Sequence, residues 1–127
     1  NTMTTKEILV PGRVRHLPRS DWSWLDRRFL REYSSQLSGD AVFLYLFLSA
    51  VGDKHGLSYY SDTSLALRLR TNERAIAAGR AELLMFDLIA YRNPLVQVLS
   101  LPARVTERSG RAQLTELLLD LKDNESE

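Results

Sequence analysis

The sequence predicts a mainly α-helical domain that carries one small β-hairpin. Three observations predict it. Apolar residues recur at helical spacing behind residues able to cap a helix, in several separate stretches. Two of those stretches, residues 63–69 and 73–86, are separated only by Arg70-Thr71-Asn72. Two β-rich runs then flank Arg92-Asn93-Pro94, a polar turn.

A chain of 127 residues fits one compact domain with modest extensions. The expected division is a basic arm over 1–19, the folded domain over 20–102, and a linker with an acidic C-terminal helix over 103–127. Hydrophobic residues make up 44% and charged residues 26%, which is globular usage. There is no cysteine, so disulfides, thiol catalysis and cysteine metal sites are excluded; a cytoplasmic location is expected. The apolar run over residues 41–48 is far too short to span a bilayer, and no membrane partner is expected. Nothing at the N-terminus reads as a signal peptide. Asn1-Thr2 ahead of Met3 reads as a remnant of expression, which puts the natural start at Met3.

Along the chain, Pro11, Gly12 and Pro18 with Arg13, Arg15 and Arg19 predict an extended basic arm. Ser20 or Asp21 then caps a lead-in helix whose apolar stripe is Trp22, Leu25, Phe29 and Tyr33. Its other face carries Asp26, Arg27, Arg28, Arg31 and Glu32. The two tryptophans read as packing residues rather than a ligand cage. Ser38 or Asp40 caps a second helix over 41–51, with Leu37 placed as a hydrophobic staple. That helix is apolar nearly all round, which predicts a central position. Gly52-Asp53-Lys54-His55-Gly56 ends it, and Leu57-Ser58-Tyr59-Tyr60 reads as a short strand. His55 reads as a solvated turn residue. With His16 as its only possible companion, no metal site is expected.

Ser61-Asp62 caps a short helix whose Leu65, Ala66 and Leu69 are spaced to face inward. Thr71 or Asn72 caps the next one, which runs to Phe86. Two helices joined by so short a turn form a helix-turn-helix, whose second helix can enter a major groove. The run Leu88-Ile89-Ala90-Tyr91, the break at Arg92-Asn93-Pro94 and residues 95–101 complete a hairpin.

The apolar positions Leu65, Leu69, Ile76, Leu83, Leu88 and Ile89, in this order of elements, resemble the winged helix-turn-helix of bacterial DNA-binding proteins. The resemblance covers roughly residues 38–101. It implies that the helix over 72–86 is a recognition helix and that the hairpin is a wing touching sugar-phosphate or minor groove. Two positions depart from the pattern. Asp87 stands where glycine is common before the wing. Arg80 falls on the inner side, where it must snorkel outward or pair with an acid.

At 100° per residue, Ile76, Gly79 and Leu83 share one face of that helix, and Arg74, Ala77, Ala78 and Ala81 the opposite one. Three small side chains allow close approach to DNA, and Arg74 near the N-terminus can reach a base or phosphate. Alanine is also the best helix former, and a small-residue face suits a partner helix equally well. Arg68, Arg70, Thr71 and Asn72 around the turn, and Arg92 and Asn93 at the wing tip, complete the candidate contacts with double-stranded DNA. Arg13, Arg15 and Arg19 could follow the minor groove as an arm.

Fourteen of the 17 basic residues are arginine, which suits phosphates and guanine edges but also follows from codon preference. Charge divides along the chain: residues 113–127 hold one Lys/Arg against five Asp/Glu. There Leu114, Leu117, Leu118 and Leu121 recur at helical spacing, for packing on the domain or on a second copy as a homodimer. Their acidic end could mask the basic surface, a reading tested by DNA affinity with and without residues 113–127. The glycines are scattered and make no phosphate-binding loop, and no nucleophile or catalytic pair is evident. No enzyme activity, cofactor or small-molecule ligand is expected. The reading is a DNA-binding regulator, or a replication-initiator or mobile-element accessory protein. The alternative is a winged-helix interaction module that recruits another protein without DNA.

Overall fold

Three helices begin where a side-chain oxygen accepts a free backbone N–H of the first turn. Helix α1 (Gly39–Val51) starts at Ser38, whose Oγ accepts from Ala41 N at 3.2 Å. Helix α2 (Asp62–Leu69) starts at Ser61, whose Oγ accepts from Ser64 N at 3.1 Å. Helix α3 (Glu73–Met85) starts at Asn72, whose Oδ1 accepts from Ala75 N at 2.8 Å. Each cap satisfies a donor that the helix itself cannot.

The computed structural model describes residues 5–103 and is mainly helical with a small three-stranded antiparallel sheet. Strand β1 (Leu57–Tyr59) lies between α1 and α2, and β2 (Ile89–Arg92) and β3 (Leu95–Val98) follow α3. The sheet order is β1-β3-β2. Ser58 pairs with Val96, and Tyr91 pairs with the same Val96 from the other side. The sequence marks β1 as a lone strand; the structure closes it onto the hairpin. Arg92, expected in the hairpin turn, is instead the last paired residue of β2, opposite Leu95. The turn is only Asn93-Pro94, joined by a cis peptide.

Phe29, Leu44, Leu48, Leu65, Leu83 and Leu88 are the largest fully buried side chains, so the core lies where α1, α2, α3 and the sheet meet. The central position expected of α1 holds through Ala41, Leu44, Tyr45 and Leu48, although its Phe43 is 65% exposed. Gly79 is buried against α1: a Cβ there would lie 3.3 Å from Ala41 Cα. Gly56 permits the entry to β1, at φ +79° with the Val98 carbonyl directly beside it.

The lead-in helix is shorter than its spacing predicts. Residues 22–26 are not helical, and the helical stretch comprises residues 27–36, including a π-helical turn Phe29–Tyr33 and a 3-10 turn Ser34–Gln36. Asp26, not Ser20 or Asp21, begins it: its carboxylate accepts from Arg28 N at 2.9 Å and its carbonyl from Phe29 N at 3.0 Å. Only Phe29 and Tyr33 of the expected stripe therefore pack, with Phe29 stacked on Tyr45 and Tyr33 edge-on to Phe86. Trp22 and Trp24 are 49% and 72% exposed, which corrects their reading as packing residues. Before them the chain from residue 5 has one 3-10 turn, Pro11–Arg13, and exposed side chains. No helix among the described residues is long and apolar enough to cross a membrane. The leucine-spaced C-terminal segment lies outside the described residues.

Candidate nucleic-acid interface

The turn between α2 and α3 is built by backbone hydrogen bonds. Thr71 N donates to Ala66 O at 2.8 Å and Arg70 N to Leu67 O at 3.3 Å. Arg70 ends α2 in the left-handed conformation, φ +58°, where a residue with a side chain carries strain. Its side chain is exposed. Thr71 is half-buried, and Asn72 is exposed but spends its carbonyl oxygen on the α3 cap. Arg68 is exposed, with its guanidinium carbon 5.6 Å from the centre of the Tyr60 ring.

The two faces of α3 separate as the helical spacing predicts. Ile76, Gly79 and Leu83 are buried; Arg74, Ala77, Ala78 and Ala81 are exposed. Two further residues, Leu84 at 42% and Met85 at 82% exposure, extend that outer face in an apolar direction. Sequence reading missed them because it stopped at Ala81, although Leu84 and Met85 stand seven residues after Ala77 and Ala78 and so continue the same face. Glu73 is also exposed in the first turn, where its carboxylate takes the Thr63 hydroxyl at 3.3 Å.

Arg80 answers the question its position raises. It is buried, ion-paired to Asp62 at the start of α2, with its guanidinium carbon 4.2 Å from the centre of the Tyr91 ring. A charge in the interior persists only when paired and hydrogen-bonded. This one ties α3 to α2 and to the end of β2. The Tyr91 contact therefore holds the end of the hairpin beside the middle of α3. Arg80 is six residues, or about 9 Å of helix axis, from Arg74.

Arg92 and Asn93 are exposed at the hairpin end. Beyond the rung in which Leu95 pairs with both Arg92 and Tyr59, only Asn93-Pro94 projects. The reach of this hairpin is short. Asp87, where a glycine was expected, adopts φ +61°, the conformation a glycine would favour there.

Among the described residues the ion pairs are Arg28–Glu32 and Arg80–Asp62, and neither uses an arginine of the exposed face. Arg70, Arg74 and Arg92 are exposed without an acidic partner there. The candidate residues 68–74 form one continuous block across the turn; Ala77, Ala78 and Ala81 continue it along α3. No family model, curated protein or solved structure matches this chain.

Proposed function

We propose that this chain is a winged helix-turn-helix protein that binds double-stranded DNA, with α3 as the recognition helix and the short hairpin as its wing. The observation that carries this reading is the outer face of α3. Arg74 stands on its first turn with Ala77, Ala78 and Ala81 behind it, and Arg70, without an acidic partner among the described residues, sits on the adjoining turn. Small side chains let a helix lie deep in a major groove, and an arginine near its N-terminus is placed for a guanine edge or a phosphate. Arg68 and Arg70 serve phosphates beside the groove, and Arg92 with Asn93 serves the backbone next to the hairpin. The hairpin is too short to track far along a minor groove, so most sequence discrimination falls to α3.

Glu73 works against phosphate at the helix N-terminus, and its hydrogen bond from Thr63 holds it to the α2 side. Either a regulatory role or a role at a replication origin or element end is compatible with this surface.

A second reading has an observation of its own. Leu84 and Met85 continue the α3 face as an exposed apolar end, which suits a protein partner. Selection of bound sequences from random duplex DNA separates the two readings. A defined motif supports DNA recognition, and a palindromic one adds a dimer. Failure to enrich any sequence, with no retention of duplex even at low salt, favours the interaction module.

A further inference from the structure

A concave site lies away from α3. It is a cavity of about 360 Å³ between the C-terminal end of α1, the turn 52–56 and the chain leaving β3, roofed by residues 23–25. Apolar side chains hold the larger share of its walls, Leu25, Leu48, Val98, Leu99 and Leu101 among them, beside polar Ser23, His55 and Ser100. This volume is near the lower end of the range of about 300–1,000 Å³ that small-molecule pockets occupy.

The roof is neither helix nor strand and is joined to α1 by a hydrogen bond from the Ser23 hydroxyl to the Ser49 carbonyl. Arg28 braces one side: it donates to the Pro102 carbonyl at 2.8 Å and pairs with Glu32. Tyr45 lines the interior, nearly fully buried, with its ring stacked on Phe29 at 3.9 Å. One turn later Ser49 brings a second hydroxyl next to it. That hydroxyl is shut off from solvent beside the Tyr45 side chain, so an occupant of the cavity does not reach it.

The rim does not favour an ion. Asp26 and Asp53 face Arg28 and Lys54 around it, so the charges balance. Both carboxylates are already used locally, Asp26 by Arg28 N and Asp53 by the amides of His55 and Leu57 at 2.8 and 3.0 Å. A charged ligand would bring an unmatched charge against apolar walls.

We propose that this cavity binds a neutral, mostly apolar small molecule of two or three rings. The site shares no residue with the α3 surface, and its test does not depend on DNA. The probe is N-phenyl-1-naphthylamine, neutral and fluorescent in apolar surroundings, titrated into the full chain beside its anionic relative 1-anilinonaphthalene-8-sulfonate. The expected result is saturable one-to-one binding of the neutral probe, at least tenfold tighter than the anion. Leu101→Trp, which fills the cavity, weakens the neutral probe at least tenfold.

Amide chemical-shift changes on probe binding must centre on Gly52, Gly56 and Ser100, a readout that stands even if Leu101→Trp fails to fold. The absence of saturable binding overturns the proposal. So does unchanged binding to a folded Leu101→Trp, or shifts centred on Leu84 and Met85 instead.

Discussion

Arg80 shows how a single residue joins three elements. Its side chain is 10% exposed and its partner Asp62 31%, so the pair is only partly withdrawn from water. Replacing Arg80 with alanine removes the ion pair, the packing on Tyr91 and a long buried stem together. The expected loss is about 2–3 kcal/mol in urea unfolding. Arg80→Met keeps most of the volume and leaves Asp62 free to turn to solvent, so it should lose less than the alanine variant. Equal losses would mean that charge, not packing, dominates there. Gly56 makes a sharper case. A Cβ at this position would meet the Val98 carbonyl oxygen at 2.6 Å, on a backbone at φ +79°. Gly56→Ala should cost about 2 kcal/mol or more, read from the same unfolding curves. The sequence marks Gly56 as turn chemistry but hides its neighbour, which arrives 42 residues later in the chain.

At the scale of elements, α1 and α3 are clasped by more than their apolar faces. Glu82 of α3 reaches the first turn of α1 and accepts from Ser38 N at 2.8 Å and Ser38 Oγ at 2.5 Å. Ser38 thus caps α1 while its own polar groups are held by the neighbouring helix. These bonds keep the Glu82 carboxyl below the usual carboxylate range, the Ser38 hydroxyl being the larger cause. Because the folded value lies below the unfolded one, the stabilisation is present above the unfolded value of about 4.3 and is lost as pH falls through the folded value. Asp53 is lowered in the same sense, by the Leu57 and His55 amides. Stability should therefore decline below about pH 4.5, and Glu82→Gln should be less sensitive to that fall than the parent. Urea midpoints at neutral pH and in acid, for both proteins, check this; parallel declines would contradict the role given to Glu82.

The three main helices were legible because Ser38, Ser61 and Asn72 announce their starts locally, and because Ile76, Gly79 and Leu83 repeat along one face. The lead-in helix was not. Trp22 and Leu25 fall by coincidence on the spacing of Phe29 and Tyr33, while Asp26, within the apparent helix, takes the cap. The pairing of β1 with β3 joins residues about 40 apart and leaves no local mark. For the candidate site, exposure of Arg74 and the three alanines followed from helical spacing alone. The place of Arg92 did not, because strand register, rather than turn composition, decides whether it is paired.

At the scale of the molecule, the net charge of +1 says little about the surface that matters. The two ion pairs among the described residues lie at Arg28 and Arg80, which leaves Arg70, Arg74 and Arg92 for an external anion. Contacts from these three to phosphate would make log affinity fall with log salt at a slope of roughly −2.7, about 0.9 for each. Arg68, already placed over the Tyr60 ring, adds to that only if it leaves the ring.

The most direct test is fluorescence anisotropy of a selected DNA duplex, titrated with the parent chain and with Arg74→Ala at several salt concentrations. A base contact predicts that the variant binds about 1–3 kcal/mol more weakly and loses preference at one position of the site. A phosphate contact predicts a weaker, sequence-independent loss and a slope shallower by about 0.9. Parent and variant binding alike, or neither binding at low salt, would contradict the assignment of α3 as the DNA-reading helix.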